Sequence, residues 1–375
     1  MSRLKTPFRY DYVGSFLRPE ELISMRKDFE DRKITAEELK AAEDRCIADL
    51  VTKQKAAGYH VITDGEFRRK SWHLDFMWGL NGVERIELDH GYFFHGMETY
   101  HTSVEVTGKI TGESHPFVDH YKFLRQFEDE NTVAKQTIPA PAQMLSELFR
   151  ADNAEKTRGV YPDYEQLVQD IAAAYRTVIR ELYEAGCRNI QLDDCTWGMV
   201  VDSEYWEKKL GAGADIEEEA RKYLRINNLA IEGKPEDLVI NTHVCRGNYQ
   251  STYAASGPYD KIAPILFSDE NAEAFYLEYD DERSGGFEPL KYVTGNKKVV
   301  LGLITTKSPV LEKKEEVIAR IHEAEKYIPL DRLYLSPQCG FSSNEIGNKL
   351  TEEEQWAKLA LVRQIAEEVW GKESV

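Results

Sequence analysis

A chain of 375 residues, 42% of them hydrophobic, has room for one large barrel or two ordinary domains and ample material for a core. Its 66 acidic against 48 basic residues give a formal net charge of −18, which disfavours nonspecific contact with nucleic acid or an anionic membrane and fits the surface of an acidic enzyme. No apolar run nears the ~20 residues of a membrane span, the first residues lack a signal peptide's apolar core, and five cysteines argue against a disulfide framework. The expected compartment is therefore the cytoplasm, with thiols left for metal binding or catalysis.

The first element, Val13-Gly14-Ser15-Phe16-Leu17-Arg18-Pro19, reads as a short strand broken by Pro19, with a polar helix behind it. Thr35-Ala36-Glu37-Glu38 has the form of a capping box, and Ile34 with Leu39 that of a hydrophobic staple. The helix that follows carries Leu39, Cys46 or Ile47, and Leu50 on one face and ends at Gly58. Tyr59-His60-Val61-Ile62-Thr63-Asp64-Gly65-Glu66 is then a buried strand ending in carboxylates. The pattern returns further on. Leu167, Ile171, Ala174, Val178 and Leu182 share a helical face, Ala185-Gly186 closes it, and Asn189-Ile190-Gln191-Leu192-Asp193-Asp194 is another strand with acids at its tip. Helix, Ala-Gly, strand, acid is the grammar of an α/β repeat with a parallel sheet.

Eight strands are predicted: Tyr12–Phe16, Val61–Glu66, Val133–Pro139, Asn189–Asp194, Leu238–Cys245, Ala274–Asp280, Lys298–Ile304 and Leu333–Cys339. Near-continuous Val, Ile and Leu in several of them suit strands buried on both faces. Eight such strands with helical crossovers close into a (β/α)8 TIM barrel, whose sites gather at the C-terminal ends of the strands. An open doubly wound sheet is the runner-up, but no G-x-G-x-x-G follows the first strand. The whole of 1–375 reads as a single catalytic domain. Residues 82–118 break the rhythm: Val83–Leu88 and Ser103–Ile110 alternate as an antiparallel hairpin would, which predicts a β-hairpin insertion after the second strand, a lid or a homo-oligomer contact. Its five histidines, His90, His95, His101, His115 and His120, lack ligand spacing and read as surface-loop residues.

The strand tips hold the chemistry. Side chains two apart on a strand share a face, so His243 and Cys245 project together after Leu238-Val239-Ile240. Strand six offers Glu278 and strand eight offers Cys339. One imidazole, two thiolates and a carboxylate converging at one end of a barrel make a tetrahedral Zn²⁺ shell. The competing readings bury Cys339 as a small filler and pair Glu278 with Arg283. Two thiolates make zinc a poor activator of water, which argues against a zinc hydrolase. They suit a metal that holds an incoming thiol as thiolate for alkyl transfer to sulfur. Ser15 and Glu66, with Asp193 or Asp194, are acceptors for an α-ammonium group, and backbone N–H groups around Gly14–Phe16 suit an α-carboxylate; loop arginines such as Arg68 or Arg69 compete for the same acids.

Val13-Gly14-Ser15-Phe16, Asp64-Gly65-Glu66, Ile190-Gln191-Leu192-Asp193, His243-Val244-Cys245, Leu277-Glu278 and Gln338-Cys339-Gly340 run in order across nearly the whole chain. In these motifs the sequence resembles the zinc-bearing catalytic half of the cobalamin-independent methionine synthases, and more closely their short single-barrel bacterial members. The resemblance implies a (β/α)8 barrel with zinc on His243, Cys245, Glu278 and Cys339. It further implies L-homocysteine held by Ser15, Glu66 and Asp193, and methylation of its sulfur by 5-methyltetrahydrofolate carrying a triglutamate tail. Full-length members carry a second, N-terminal barrel that helps bind that tail, and this sequence shows one barrel. Where many members have Asp-Ile-His-Ser-Pro after strand seven, the chain reads Thr305-Thr306-Lys307-Ser308-Pro309, and Asp193-Asp194-Cys195 stands where Asp-Glu-Pro is usual. Lys307 and Asp194 are the residues expected to pass a proton to the leaving nitrogen, and Trp72 and Trp197 those expected to stack on a pterin. The alternatives are a thiol S-methyltransferase using a corrinoid or small S-methyl donor, and a non-catalytic zinc- or thiol-binding barrel.

Overall fold

The computed structural model describes residues 4–150, 153–202 and 215–372. Six strands form one parallel sheet in chain order: Gln136–Pro139, Asn189–Asp194, Val239–Val244, Ala274–Glu278, Lys298–Ile304 and Leu333–Pro337. Val61–Ile62 pairs in parallel with Val133–Ala134, which runs on into the first of these strands. The ring closes through residues 10–15. Tyr10 bridges Leu335 in parallel, and Ser15 bridges Gly65; the Asp11 N–H donates to the Leu335 carbonyl at 3.0 Å and the Phe16 N–H to the Gly65 carbonyl at 3.1 Å. The result is a closed parallel barrel with helices outside. Two predicted strands, Asn189–Asp194 and Lys298–Ile304, have the expected bounds; the predicted Tyr12–Phe16 is present only as isolated bridges at Tyr10 and Ser15, Val133–Pro139 is split in two, and the second, fifth, sixth and last are shorter than expected, their ends turning into the loops that build the site.

The local signals behave as their chemistry dictates. Thr35 caps the helix Ala36–Ala56 with the reciprocal Glu38 contact of a capping box, and Thr351 with Glu354 does the same for Glu352–Trp370. The five apolar residues foreseen on one face of Tyr164–Glu184 are all buried. Inside the barrel a buried polar chain forms the floor of the site. Lys135, fully buried, donates to Asp11 Oδ1 at 3.0 Å and Gln191 Oε1 at 3.1 Å, and the Gln191 amide donates to Asp193 Oδ1 at 2.7 Å. Pairing and hydrogen bonding are what make a buried ammonium tolerable there.

Asn81–Glu87 and Thr102–Thr111 pair antiparallel, with a bulge at Gly82. A second short pair, Phe93–Phe94 with Met97–Glu98, makes the tip of this arm. The tip leans on the loop after the fifth barrel strand, where the His95 ring lies on Tyr253 at 4.2 Å between centroids and its Nδ1 is 3.0 Å from the Tyr253 carbonyl. The expected surface character of the five histidines fails at His115. It is buried, its Nε2 faces the Phe76 carbonyl at 2.9 Å, and its Nδ1 accepts the Phe117 N–H at the start of the helix Pro116–Arg125. That partner lies 39 residues upstream, which local spacing does not reveal.

Candidate metal centre and its cavity

Val239–Val244 and Ala274–Glu278 lie side by side, with Tyr276 opposite His243. This register aims His243, Cys245 and Glu278 at one point, and Cys339 arrives from the turn after Leu333–Pro337. One donor atom from each of the four lies within 4.8 Å of all the others, and all four residues are buried. The two sulfurs are 3.7 Å apart. The Tyr276 carbonyl can only accept, so His243 Nδ1, 3.2 Å from it, carries the proton and Nε2 presents a lone pair. That Nε2 has no hydrogen-bond partner, and neither has Glu278 Oε2, although Glu278 Oε1 accepts the Arg246 N–H at 3.1 Å. Two buried acceptors facing each other without donors are costly unless a cation joins them. With two thiols beside them, the donor set fits zinc. The reading that pairs Glu278 with Arg283 fails: Arg283 binds Asp280 at 3.2 Å and Asp281 at 2.6 Å.

The centre opens into a cavity of about 1680 Å³ that is also lined by Ser15, Glu66 and Asp193. Gly65 and Glu66 both take left-handed backbone conformations, φ +66° and +62°, which turn the Glu66 carboxylate back over the barrel mouth. Asp64 holds that turn by accepting the Glu66 N–H at 2.9 Å. Glu66 Oε1 pairs with Arg69 at 3.1 Å and accepts from Thr137 at 3.0 Å, while Oε2 stands without a partner. Burial pushes both Glu66 and Asp193 up to about 7, opposed by the Arg69 charge at both and by the Gln191 hydrogen bond at Asp193. Two buried carboxyls facing one space call for a cation between them. Of the two loop arginines, Arg69 makes the expected acid contact; Arg68 turns outward to Glu43 and Asp44. The Phe16 N–H is spent on the Gly65 carbonyl, which removes one of the expected carboxylate donors.

Three other expected residues stand away from the cavity. Lys307 lies 3.5 Å from Asp280, an almost fully buried carboxylate, and does not line the cavity. Asp194 is completely buried and accepts from the Thr196 N–H and Oγ1 and from Asn227, so it shapes the turn behind the site. Trp197 is fully buried with its ring edge toward Tyr223, whereas Trp72 does line the cavity. Thr306, one residue before Lys307, is a buttress: it donates to the Gly340 carbonyl at 3.0 Å, as Asn248 does at 2.7 Å. Asn248, Thr137 and Cys195 escaped the sequence reading as site residues. Only Cys195, directly after a strand tip, carried a signal that would have found it.

Residues 10–368 match the family model described as the catalytic domain of the cobalamin-independent synthases. The chain is 44% identical over 367 residues to YxjH of Bacillus subtilis (strain 168), an uncharacterized protein, covering 98% of this chain and 96% of that one. It is 23% identical over 336 residues to the methionine synthase of Pyrococcus abyssi, covering 88% and 84%. Among solved structures, a candidate vitamin-B12 independent methionine synthase from Listeria monocytogenes superimposes with a TM-score of 0.78 at 38% identity, covering 98% of this chain and all of that one. A B12-independent methionine synthase from Shewanella sp. W3-18-1, in complex with selenomethionine, shares the fold with a TM-score of 0.71 at 21% identity over 97% of this chain and 98% of that one.

Proposed function

The chain belongs to the cobalamin-independent synthase catalytic-domain family, and we propose that it transfers a methyl group from 5-methyltetrahydrofolate, with or without the triglutamate tail, to the sulfur of L-homocysteine, forming methionine. One observation carries this reading: the four-donor cluster and the Glu66–Asp193 pair open onto the same cavity. Bound by His243, Cys245, Glu278 and Cys339, zinc would supply a site where a thiol is held ionised at neutral pH, well below its free pKa of ~8.5. Glu66 and Asp193 take the α-ammonium group of the amino acid, and Ser15 orients it. The thiolate attacks the methyl carbon in line, and the methyl–nitrogen bond breaks as the sulfur–carbon bond forms. The departing nitrogen needs a proton, because an amide-like anion leaves poorly. Asp194 is hydrogen-bonded to Thr196 and Asn227, and Lys307, 3.5 Å from Asp280 and with no hydrogen-bond partner at its ammonium, does not line the cavity, so the proton is assigned to water in the cavity. Trp72 offers a face for the pterin, and the antiparallel arm of residues 81–111 acts as the lid that keeps bulk water out.

The test is turnover by the zinc-loaded chain, followed as methionine formed from L-homocysteine and 5-methyltetrahydropteroyltriglutamate. Cys339→Ser is expected to lose zinc and turnover together. Full activity in a demonstrably zinc-free protein would overturn the proposal.

A further inference from the structure

Cys195 sits one residue beyond the strand Asn189–Asp194, at the mouth of the barrel. Its neighbour in the ring is the strand that carries His243 and Cys245. Asp194 is in register with Val244, and the Cys245 N–H donates to the Asp194 carbonyl at 2.9 Å, so Cys195 and Cys245 face each other across adjacent strand ends. Parallel neighbours are ~4.8 Å apart in this direction. Cys195 lines the same cavity as His243, Cys245 and Cys339, and it alone of these four is partly exposed. The Asp194 carboxylate, which accepts the Thr196 N–H at 2.8 Å, fixes the turn on which the thiol is carried. Its sulfur is not among the four donors that lie within 4.8 Å of one another, but it borders the edge of that cluster that opens to substrate. That cluster holds the two partnerless buried acceptors, His243 Nε2 and Glu278 Oε2.

We propose that Cys195 is an exchangeable third thiolate of the metal centre, swinging by a side-chain rotation onto the metal when the cavity holds no substrate and leaving when the substrate thiol enters. The inference rests on the zinc reading above and adds a residue to it. Entry of the substrate is then an exchange of like for like. The entering thiol gives up one proton as its sulfur binds, the departing Cys195 sulfur takes one up, and no net charge is added to a buried site. A small, partly exposed thiol is suited to this as a fifth, exchangeable ligand, because zinc can expand beyond four ligands and the displacement of Cys195 leaves the four buried ligands in place.

Zinc X-ray absorption and metal analysis on the full-length, zinc-loaded protein test the idea. The wild type without substrate is expected to show three sulfur scatterers, falling to two in Cys195→Ala and Cys195→Ser, with zinc still bound at about one per chain in all. With L-homocysteine the wild type stays at three and the variants rise to three. Peptide mapping after brief iodoacetamide treatment gives a second readout: Cys195 should be alkylated at least tenfold faster with the methionine product absent but homocysteine present than in the substrate-free zinc protein. Two sulfurs in the substrate-free wild type, with zinc fully bound, would overturn the role of Cys195 and leave the four-ligand centre standing. A chain that holds no zinc at all would overturn both.

Discussion

Because the Tyr276 carbonyl takes the Nδ1 proton, His243 has one way to serve a metal, through Nε2, and the ring is already turned for it. The thiols have less support: Cys245 accepts the Gly247 N–H at 3.3 Å, and the two sulfurs lie 3.7 Å apart. Cys245→Ser or Cys339→Ser should therefore drop zinc from about one per chain to a weak residue on the remaining ligands, as elemental analysis after dialysis will show. Zinc that binds only the folded chain also stabilises it, so chelation should lower the melting temperature of the wild type and leave these variants nearly unmoved. Asp193 makes a separate prediction. Its pKa is raised to about 7 by burial, above the ~3.9 of the unfolded chain, so the folded state holds the extra proton and stability falls as pH rises between those values. Asp193→Asn, which keeps an acceptor for Gln191, removes that loss. Above pH 7 the variant should unfold at a higher temperature than the wild type, by roughly 1–3 kcal/mol of stability, and the difference should vanish near pH 4. Its zinc content should be unchanged and its KM for homocysteine raised ten- to a hundredfold. The KM of the wild type should fall as pH rises through 7, as the acid pair ionises to meet the ammonium group. Equal stability of the two proteins across this range would show that Asp193 is not a strained acid.

At the scale of elements, the metal strand is seated by close approach. A Cβ on Gly198 would come within 2.1 Å of the Cys245 carbonyl oxygen, so the helix Thr196–Val201 lies against the strand end only because that residue has none. Gly198→Ala has to push the two apart. A cost of about 1–3 kcal/mol is expected, with zinc released by chelator several times faster than from the wild type. Thr35→Ala is the control: it removes a capping contact far from the site, should cost about 1 kcal/mol, and should leave zinc release unchanged. Thermal melts and chelator-release kinetics on both variants decide whether the packing of this helix holds the centre. The contrast also explains what was legible in the sequence. The capping box at Thr35, the buried face of Tyr164–Glu184 and the apolar strands Asn189–Asp194 and Lys298–Ile304 follow from residues close together in the chain, and the convergence of His243, Cys245, Glu278 and Cys339 follows from asking what stands at each strand tip. Gly198 against Cys245, His115 against Phe76 and Lys307 against Asp280 are contacts between distant segments, set by how loops settle on the finished barrel. Trp197 illustrates the same limit, since its place after a strand tip put it near the site while the helix it starts turned its ring into the core.

For the whole molecule, the question is which methyl donor the cavity was shaped to take. At about 1680 Å³ it is larger than a homocysteine needs, and Trp72 with Tyr92, Phe93 and Phe94 of the arm gives it aromatic walls. A pterin fits such a lining. A polyglutamate tail is another matter. The net charge of −18 offers a polyanion no general attraction, and among the described residues two of the four lysines and arginines lining the cavity, Arg150 and Lys222, already pair with Glu147 and with Glu218 and Glu219. Lys307, in the position where the family often has histidine, is held by Asp280 and does not reach the cavity. The expected outcome is measurable but inefficient use of 5-methyltetrahydrofolate, with less than a tenfold gain in kcat/KM from monoglutamate to triglutamate. A methylated corrinoid or S-methylmethionine, which need no tail site, should compete with it. Steady-state kinetics with the four donors, at low and at 0.5 M salt, will separate the cases. If the triglutamate wins by a hundredfold, ~2.7 kcal/mol of transition-state preference, and that gain collapses in high salt, then Arg158 and Lys261 form a tail site and the folate triglutamate is the donor this barrel was built around.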